Sequence, residues 1–149
     1  MTVLTEDAPG LTGLEQLRSW LSGGRQPAIG ETLQFKLVDI EEGVATFEGT
    51  PGLHAYNPIG TVHGGYAATL LDSACGVAVH SKLRADQAYT TLELKVSYHR
   101  AMTKDTGPVR AVGTVVTMGR RAAFAEARIT DAQGRLYATA TSSLLVMDR

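Results

Sequence analysis

The sequence predicts an α+β fold in which several long antiparallel strands surround one buried helix, and three observations lead there. Residues 65–82 contain no proline, and their apolar side chains do not keep to one stripe; a helix that is apolar all round has to be covered all round. Strand candidates at 89–101, 109–118, 122–131 and 135–147 then follow one another with only turns between them. No strand alternates with a helix as in βαβ units, which leaves an antiparallel sheet as the cover.

Taken in order, residues 1–10 read as a loose N-terminus and 11–149 as one domain. In 11–21, Leu14, Leu17 and Leu21 recur at helical spacing beside Trp20, with Thr12 as cap and Gly23-Gly24 as stop. Residues 22–30 read as a linker. Leu33, Phe35 and Leu37 alternate in 31–40, and Val44, Thr46 and Phe47 follow the turn Glu41-Glu42-Gly43, so this region is a hairpin. A Gly/Pro-punctuated loop, 50–58, leads to the central helix, which spans about 27 Å. That is short for a bilayer, and Asp72 sits in its middle, so a transmembrane reading is rejected. After a polar connection at 81–88, the strand 89–101 places Leu92, Leu94, Val96 and Tyr98 on one face and Glu93, Lys95 and Ser97 on the other. Gly119-Arg120-Arg121 and Asp131-Ala132-Gln133-Gly134 are the turns that join the last three strands.

Composition narrows the function. The 149 residues carry a formal charge of −1 with Lys and Arg scattered, which gives no nucleic-acid footprint. A single cysteine, Cys75, rules out an intrachain disulfide and fits a reducing compartment. Residues 1–10 show no secretory signal, so the expectation is a soluble cytoplasmic protein. The four histidines lack metal-ligand spacing, and neither Gly-x-Ser-x-Gly nor a phosphate loop occurs. Cys75 lies in an apolar run without a basic neighbour and reads as a small buried hydrophobe, not a nucleophile.

Two features of the central helix point to chemistry. Asp72 is its one ionisable residue before His80, and a carboxylate there needs a partner or a task. Asp72 as general base or nucleophile stands beside Asp72 as a polar residue tied in by neighbouring hydroxyls. Gly64-Gly65, at the first turn, leave amides unpaired at the positive end of the helix dipole, a site for a negative oxygen. Asp72 lies about 10 Å beyond Gly65 along the axis. One helix cannot bring both onto a single reacting carbon, so a site shared between two subunits is expected.

The pattern Asn57-(x)2-Gly60-(x)2-His63-Gly64-Gly65-(x)6-Asp72 resembles the signature of the hotdog-fold acyl-CoA thioesterases, in particular the phenylacetate-degradation and 4-hydroxybenzoyl-CoA thioesterase branches. The resemblance covers roughly residues 30–147. It implies a long helix wrapped by an antiparallel sheet, a homodimer as minimum unit with sites at its interface, and pairing of dimers into a homotetramer. It also implies an acyl-CoA substrate with an aryl or medium-chain acyl group, and no cofactor beyond the coenzyme A of that substrate.

On this resemblance Asp72 is the catalytic acid, where some branches carry Glu, and the Gly65 amide polarises the thioester. Asn57 is implied near the thioester or the attacking water, although an Asn before Pro58 is also an ordinary turn residue. His63 is either a base or the residue that holds the helix entrance. Thr91 matches a hydroxyl that contacts the acid or water, and is equally an ordinary strand residue. Gly76 departs from relatives that carry a hydroxyl one turn after the acid. Gly64, Arg120, Arg121 and Arg100 are the substrate-binding candidates, with the arginines set against coenzyme A phosphates or read as solvated turns; Arg149 is a weaker one. Two rival functions remain: an acyl-thioester hydratase or dehydratase of the same fold, and a non-catalytic acyl-CoA binding module.

Overall fold

A computed structural model describes residues 9–149, so the loose N-terminus expected at 1–10 lies, for residues 1–8, outside the described residues. Helix α1, Gly13–Ser22, starts where expected. Thr12 accepts the Glu15 amide, and the Glu15 carboxylate accepts the Thr12 amide at 2.8 Å, a reciprocal cap. Leu17 and Trp20 bury the apolar face.

The linker expected at 22–30 is partly helical: Ala28–Leu33 forms a short α2, opened by Pro27 and closed by Gln34 in the left-handed region at φ 59°. Proline favours the start of a helix, and this helix takes Leu33 out of the alternation that Phe35 and Leu37 continue. Strand β1 therefore begins at Phe35, as Phe35–Glu41, and turns at Gly43 (φ 80°) into β2, Val44–Gly49.

Helix α3, Gly64–His80, follows the loop, then β3, Gln87–Tyr98. Strands β4 (Val109–Met118), β5 (Ala122–Asp131) and β6 (Leu136–Asp148) complete a sheet of order β1-β2-β4-β5-β6-β3, antiparallel throughout. The face of the sheet that carries Val109, Ala111, Ala125, Ile129 and Leu144 wraps α3, whose Leu70, Leu71, Ala74 and Cys75 are fully buried. Contact is closest at Gly113 of β4: a Cβ there would overlap the Ala74 carbonyl and approach the Cys75 amide nitrogen to 2.8 Å. The absent side chain lets helix backbone rest on strand backbone.

Two expectations change in detail. The cover of α3 is incomplete, because Thr69, Asp72 and Ser73 remain half-buried along one strip. The alternation in β3 is interrupted by a bulge at Leu92, where the register against β6 shifts between Thr91 and Glu93. Up to Thr91 the odd residues face the helix, and from Leu94 the even ones do. Leu92, placed by simple alternation with Leu94, is instead 65% exposed. An extra residue in a strand changes the face of everything beyond it.

Candidate active site

The loop before α3 is stitched by Asn57. Its side-chain oxygen accepts the amides of Ile59 and Thr61, both at 3.1 Å, and its nitrogen donates to the Thr61 hydroxyl at 2.9 Å. Gly60 supplies the left-handed turn at φ 90°. Asn57 thus spends its side chain on the turn, and its second side-chain N–H has no acceptor among the described residues.

His63 caps α3. Its Nδ1 accepts the Gly65 amide at 2.7 Å, which leaves the proton of the neutral ring on Nε2. The expectation of two unpaired amides is corrected here: the Gly65 N–H is taken by the cap. A helix start leaves its first amides without intrahelical acceptors, and a nearby side chain satisfies one of them. The Gly64 amide finds no acceptor among the described residues. The Gly64 carbonyl, in turn, accepts the Tyr98 hydroxyl of β3 at 2.7 Å.

A cleft of about 380 Å³ opens at this helix end, lined by His63, Gly64, Ala67, Tyr98, Arg100 and Met102 among others. Arg100 therefore joins the helix entrance, whereas Arg120 and Arg121 do not. They stand exposed in the β4–β5 turn, where the Arg121 carbonyl accepts the Val146 amide at 2.9 Å, at the end of the sheet where β3 begins. Another hollow, about 360 Å³ and lined by Lys95, Thr114, Glu126 and Arg128, lies on the outer sheet face, away from the helix.

Asp72 lines neither. Its Oδ1 accepts the Thr91 hydroxyl at 2.9 Å, and its Oδ2 has no partner among the described residues. Thr91 and Asp72 are thus brought together, while the Gly64–Gly65 entrance is held by Tyr98, seven residues further along β3. Cys75 is inert: burial, and then the Asp72 charge, push its thiol up to about 12. Tyr89 was not among the sequence candidates. Its phenol lies over Gly76, and its place two residues before Thr91 was the available signal. Among the described residues no group of three His, Cys, Asp or Glu is arranged for a metal, and no helix is long and apolar enough to cross a membrane.

A single helix wrapped by an antiparallel sheet, with a glycine-rich helix entrance and an acid two turns on, is a hotdog fold. The model of the Thioesterase superfamily matches residues 59–138, and the chain belongs to that family. It is similar to the proofreading thioesterase EntH of Cronobacter turicensis, 34% identical over 92 residues that cover 62% of this chain and 66% of the relative. The chain thus spans just under two thirds of that relative's length. The 1,4-dihydroxy-2-naphthoyl-CoA hydrolase of Listeria monocytogenes is 23% identical over 78% of this chain and 93% of its own. Among solved structures, the conserved protein PA5202 from Pseudomonas aeruginosa superposes with a TM-score of 0.75 at 31% identity, covering 81% of this chain and 94% of the other.

Proposed function

We propose that the chain hydrolyses an acyl-CoA thioester, aryl or medium-chain, to a carboxylate and free coenzyme A, at sites shared by two subunits. Family membership supports thioester chemistry, and a CoA-thioester hydrolase is among the relatives. The observation that carries the reading is the unpartnered Oδ2 of Asp72, whose Oδ1 is held by the Thr91 hydroxyl on β3, an edge strand that pairs with β6 alone among the described residues.

That edge is where the second subunit joins. It carries the exposed Leu92 and Tyr98. Antiparallel pairing of two β3 strands about Lys95 sets Leu94 opposite Val96 and Glu93 opposite Ser97. With the bulged Leu92 passed over, Thr91 then falls opposite the partner strand's position 98. Asp72 of one chain thereby approaches the Gly64–Gly65 entrance of the other. The same pairing carries Arg120 and Arg121 toward the end where Arg100 stands on the other chain, and these arginines take the coenzyme A phosphates. Exposed Val116 and Phe124 give dimers a surface on which to pair into a homotetramer. The buried, unpaired Cys75 fits a cytoplasmic setting.

In the reaction the thioester oxygen meets the helix N-terminus. The Gly64 amide is free to donate, and the Gly65 amide joins it if the oxygen displaces His63 Nδ1. Charge that grows on the oxygen as the carbon becomes tetrahedral is stabilised there. Asp72 Oδ2 takes a proton from water as the water oxygen bonds to the carbon. The C–S bond then breaks, and the thiolate leaves with the bonding pair. Water activation is preferred to direct attack by Asp72, because Asp is one methylene shorter than the Glu of other branches. Asn57 and His63 keep the loop and the entrance in place.

Release of free thiol from a panel of aryl-, phenylacetyl-, short- and long-chain acyl-CoAs, read with a thiol-reactive dye, tests this. The parent protein releases thiol, and Asp72→Asn lowers the rate about 10²–10⁴-fold while the protein stays folded. A folded Asp72→Asn protein at near-parent rate removes Asp72 from the mechanism. No thiol release from any acyl-CoA by the parent overturns the hydrolytic reading.

A further inference from the structure

The turn of α3 beyond Asp72 faces a hydroxyl that the helix itself does not supply. A Cβ at Gly76 would come within 2.7 Å of the Tyr89 hydroxyl oxygen and 3.0 Å of its Cε2. Tyr89 and Thr91 lie on the same face of β3, so two rungs cross from strand to helix: Thr91 to Asp72, and Tyr89 to Gly76. On its other side the Tyr89 ring meets His80 edge-on, with centroids 5.9 Å apart and planes at 74°. The ring is thus fixed between a glycine and a buried histidine. Its hydroxyl nevertheless has no partner among the described residues, and Asp72 Oδ2 has none either. Two polar groups on neighbouring turns, both half-buried and both unspent, are matched to a small polar guest between them.

We propose that Tyr89, seated on Gly76, is a positioning residue that holds the water which Asp72 deprotonates. This rests on the hydrolytic reading above. The water directs one proton to Asp72 Oδ2 and the other to the Tyr89 oxygen, which leaves a lone pair for the thioester carbon. The phenol is not itself the base: burial, and then the Asp72 charge, raise it to about 12, so it stays protonated. Gly76 is the necessary counterpart, since any side chain there would occupy the place of the hydroxyl.

Tyr89→Phe keeps the ring and its packing on His80 and removes only the oxygen. The expected result is a kcat lowered about five- to thirtyfold, with KM within roughly twofold and an unchanged unfolding midpoint. Gly76→Ser in the parent drives its side chain into the Tyr89 hydroxyl and impairs turnover. In the Tyr89→Phe background the serine needs only a few tenths of an ångström of give and returns a hydroxyl to the vacated place. The double variant should therefore recover at least about threefold in kcat over Tyr89→Phe alone. Parent-like kcat in Tyr89→Phe overturns the proposal. So does a loss that tracks a fall in stability or that Gly76→Ser fails to restore. Asp72→Asn in the same assay separates the two readings. An active Asp72→Asn protein sinks the hydrolytic mechanism itself. An inactive one beside an unaffected Tyr89→Phe sinks only the role of Tyr89.

Discussion

Adding one methyl group to Gly113 tests whether the site depends on direct backbone contact between α3 and the sheet. In Gly113→Ala the new Cβ overlaps the Ala74 carbonyl and sits 2.8 Å from the Cys75 nitrogen. Neither obstacle is the flexible end of a side chain, so the helix must shift by something on the order of 1 Å to restore ordinary contact. Ala74 is two residues from Asp72, whose hydrogen bond with Thr91 is 2.9 Å long, and a shift of that size lengthens it beyond useful geometry. Overpacking of this kind costs about 1–3 kcal/mol, or roughly 3–12 °C in Tm for a domain of this size. Turnover should fall about tenfold or more from misplacement of Asp72. The control is Gly119→Ala, in the β4–β5 turn, where the nearest atom is the Ala122 oxygen at 3.6 Å. That change should stay within about 0.5 kcal/mol of the parent. Thermal unfolding and thiol release on both variants decide the matter. If Gly113→Ala melts and turns over like Gly119→Ala, the claim that backbone contact positions Asp72 is refuted.

Thr91→Val keeps the shape of the side chain and removes the donor to Asp72; kcat should drop about three- to tenfold with little change in KM, and an unaltered kcat would return Thr91 to an ordinary strand role. Mixing subunits that carry a blocked helix entrance (Gly64→Val) with Asp72→Asn subunits should regenerate one intact site per mixed dimer; no recovery despite proven subunit exchange would exclude the shared site. Stability should also fall with acid. Burial, helped by the charge of Arg149, holds His80 down at about 4, against roughly 6.5 in the unfolded chain. Between these values the unfolded state binds more protons, so up to roughly 3 kcal/mol is lost as pH falls from about 6.5 to about 4. Denaturant titrations across that range should show the slope, and His80→Gln should flatten it.

Much of this fold was legible because its signals are local. β4 and β5 are bounded by turn residues such as Gly119 and Gly134, and the period of Leu14, Leu17 and Leu21 suffices for α1. Asp72 stands out because a lone carboxylate in an apolar helix has to be explained. What escaped depends on atoms distant in sequence. The capture of the Gly65 amide by His63 is a matter of one ring's rotamer. Tyr89 shows its place only once β3 lies against Gly76, and Arg100 separates from Arg120 and Arg121 only once the direction of β3 is known. The short α2 was missed because six residues carry too little helical period to outweigh the proline and glycines around them.

The bulge at Leu92 makes β3 behave like a waveform with a half-period slip. Tyr89 and Thr91 are in phase with the helix on one side of the slip, and Leu94 and Val96 are in phase on the other. Residue count, not residue type, therefore carries information here. A change of length by one between Thr91 and Leu94 would alter composition hardly at all, yet it would turn either the acid's hydroxyl partner or the helix-facing apolar pair Leu94 and Val96 to the wrong side. Substitutions at Leu92, exposed as it is, leave the phase intact. The phase is blind to what stands at position 92 and depends only on whether anything does; the kind of residue there bears instead on the strand edge that carries it.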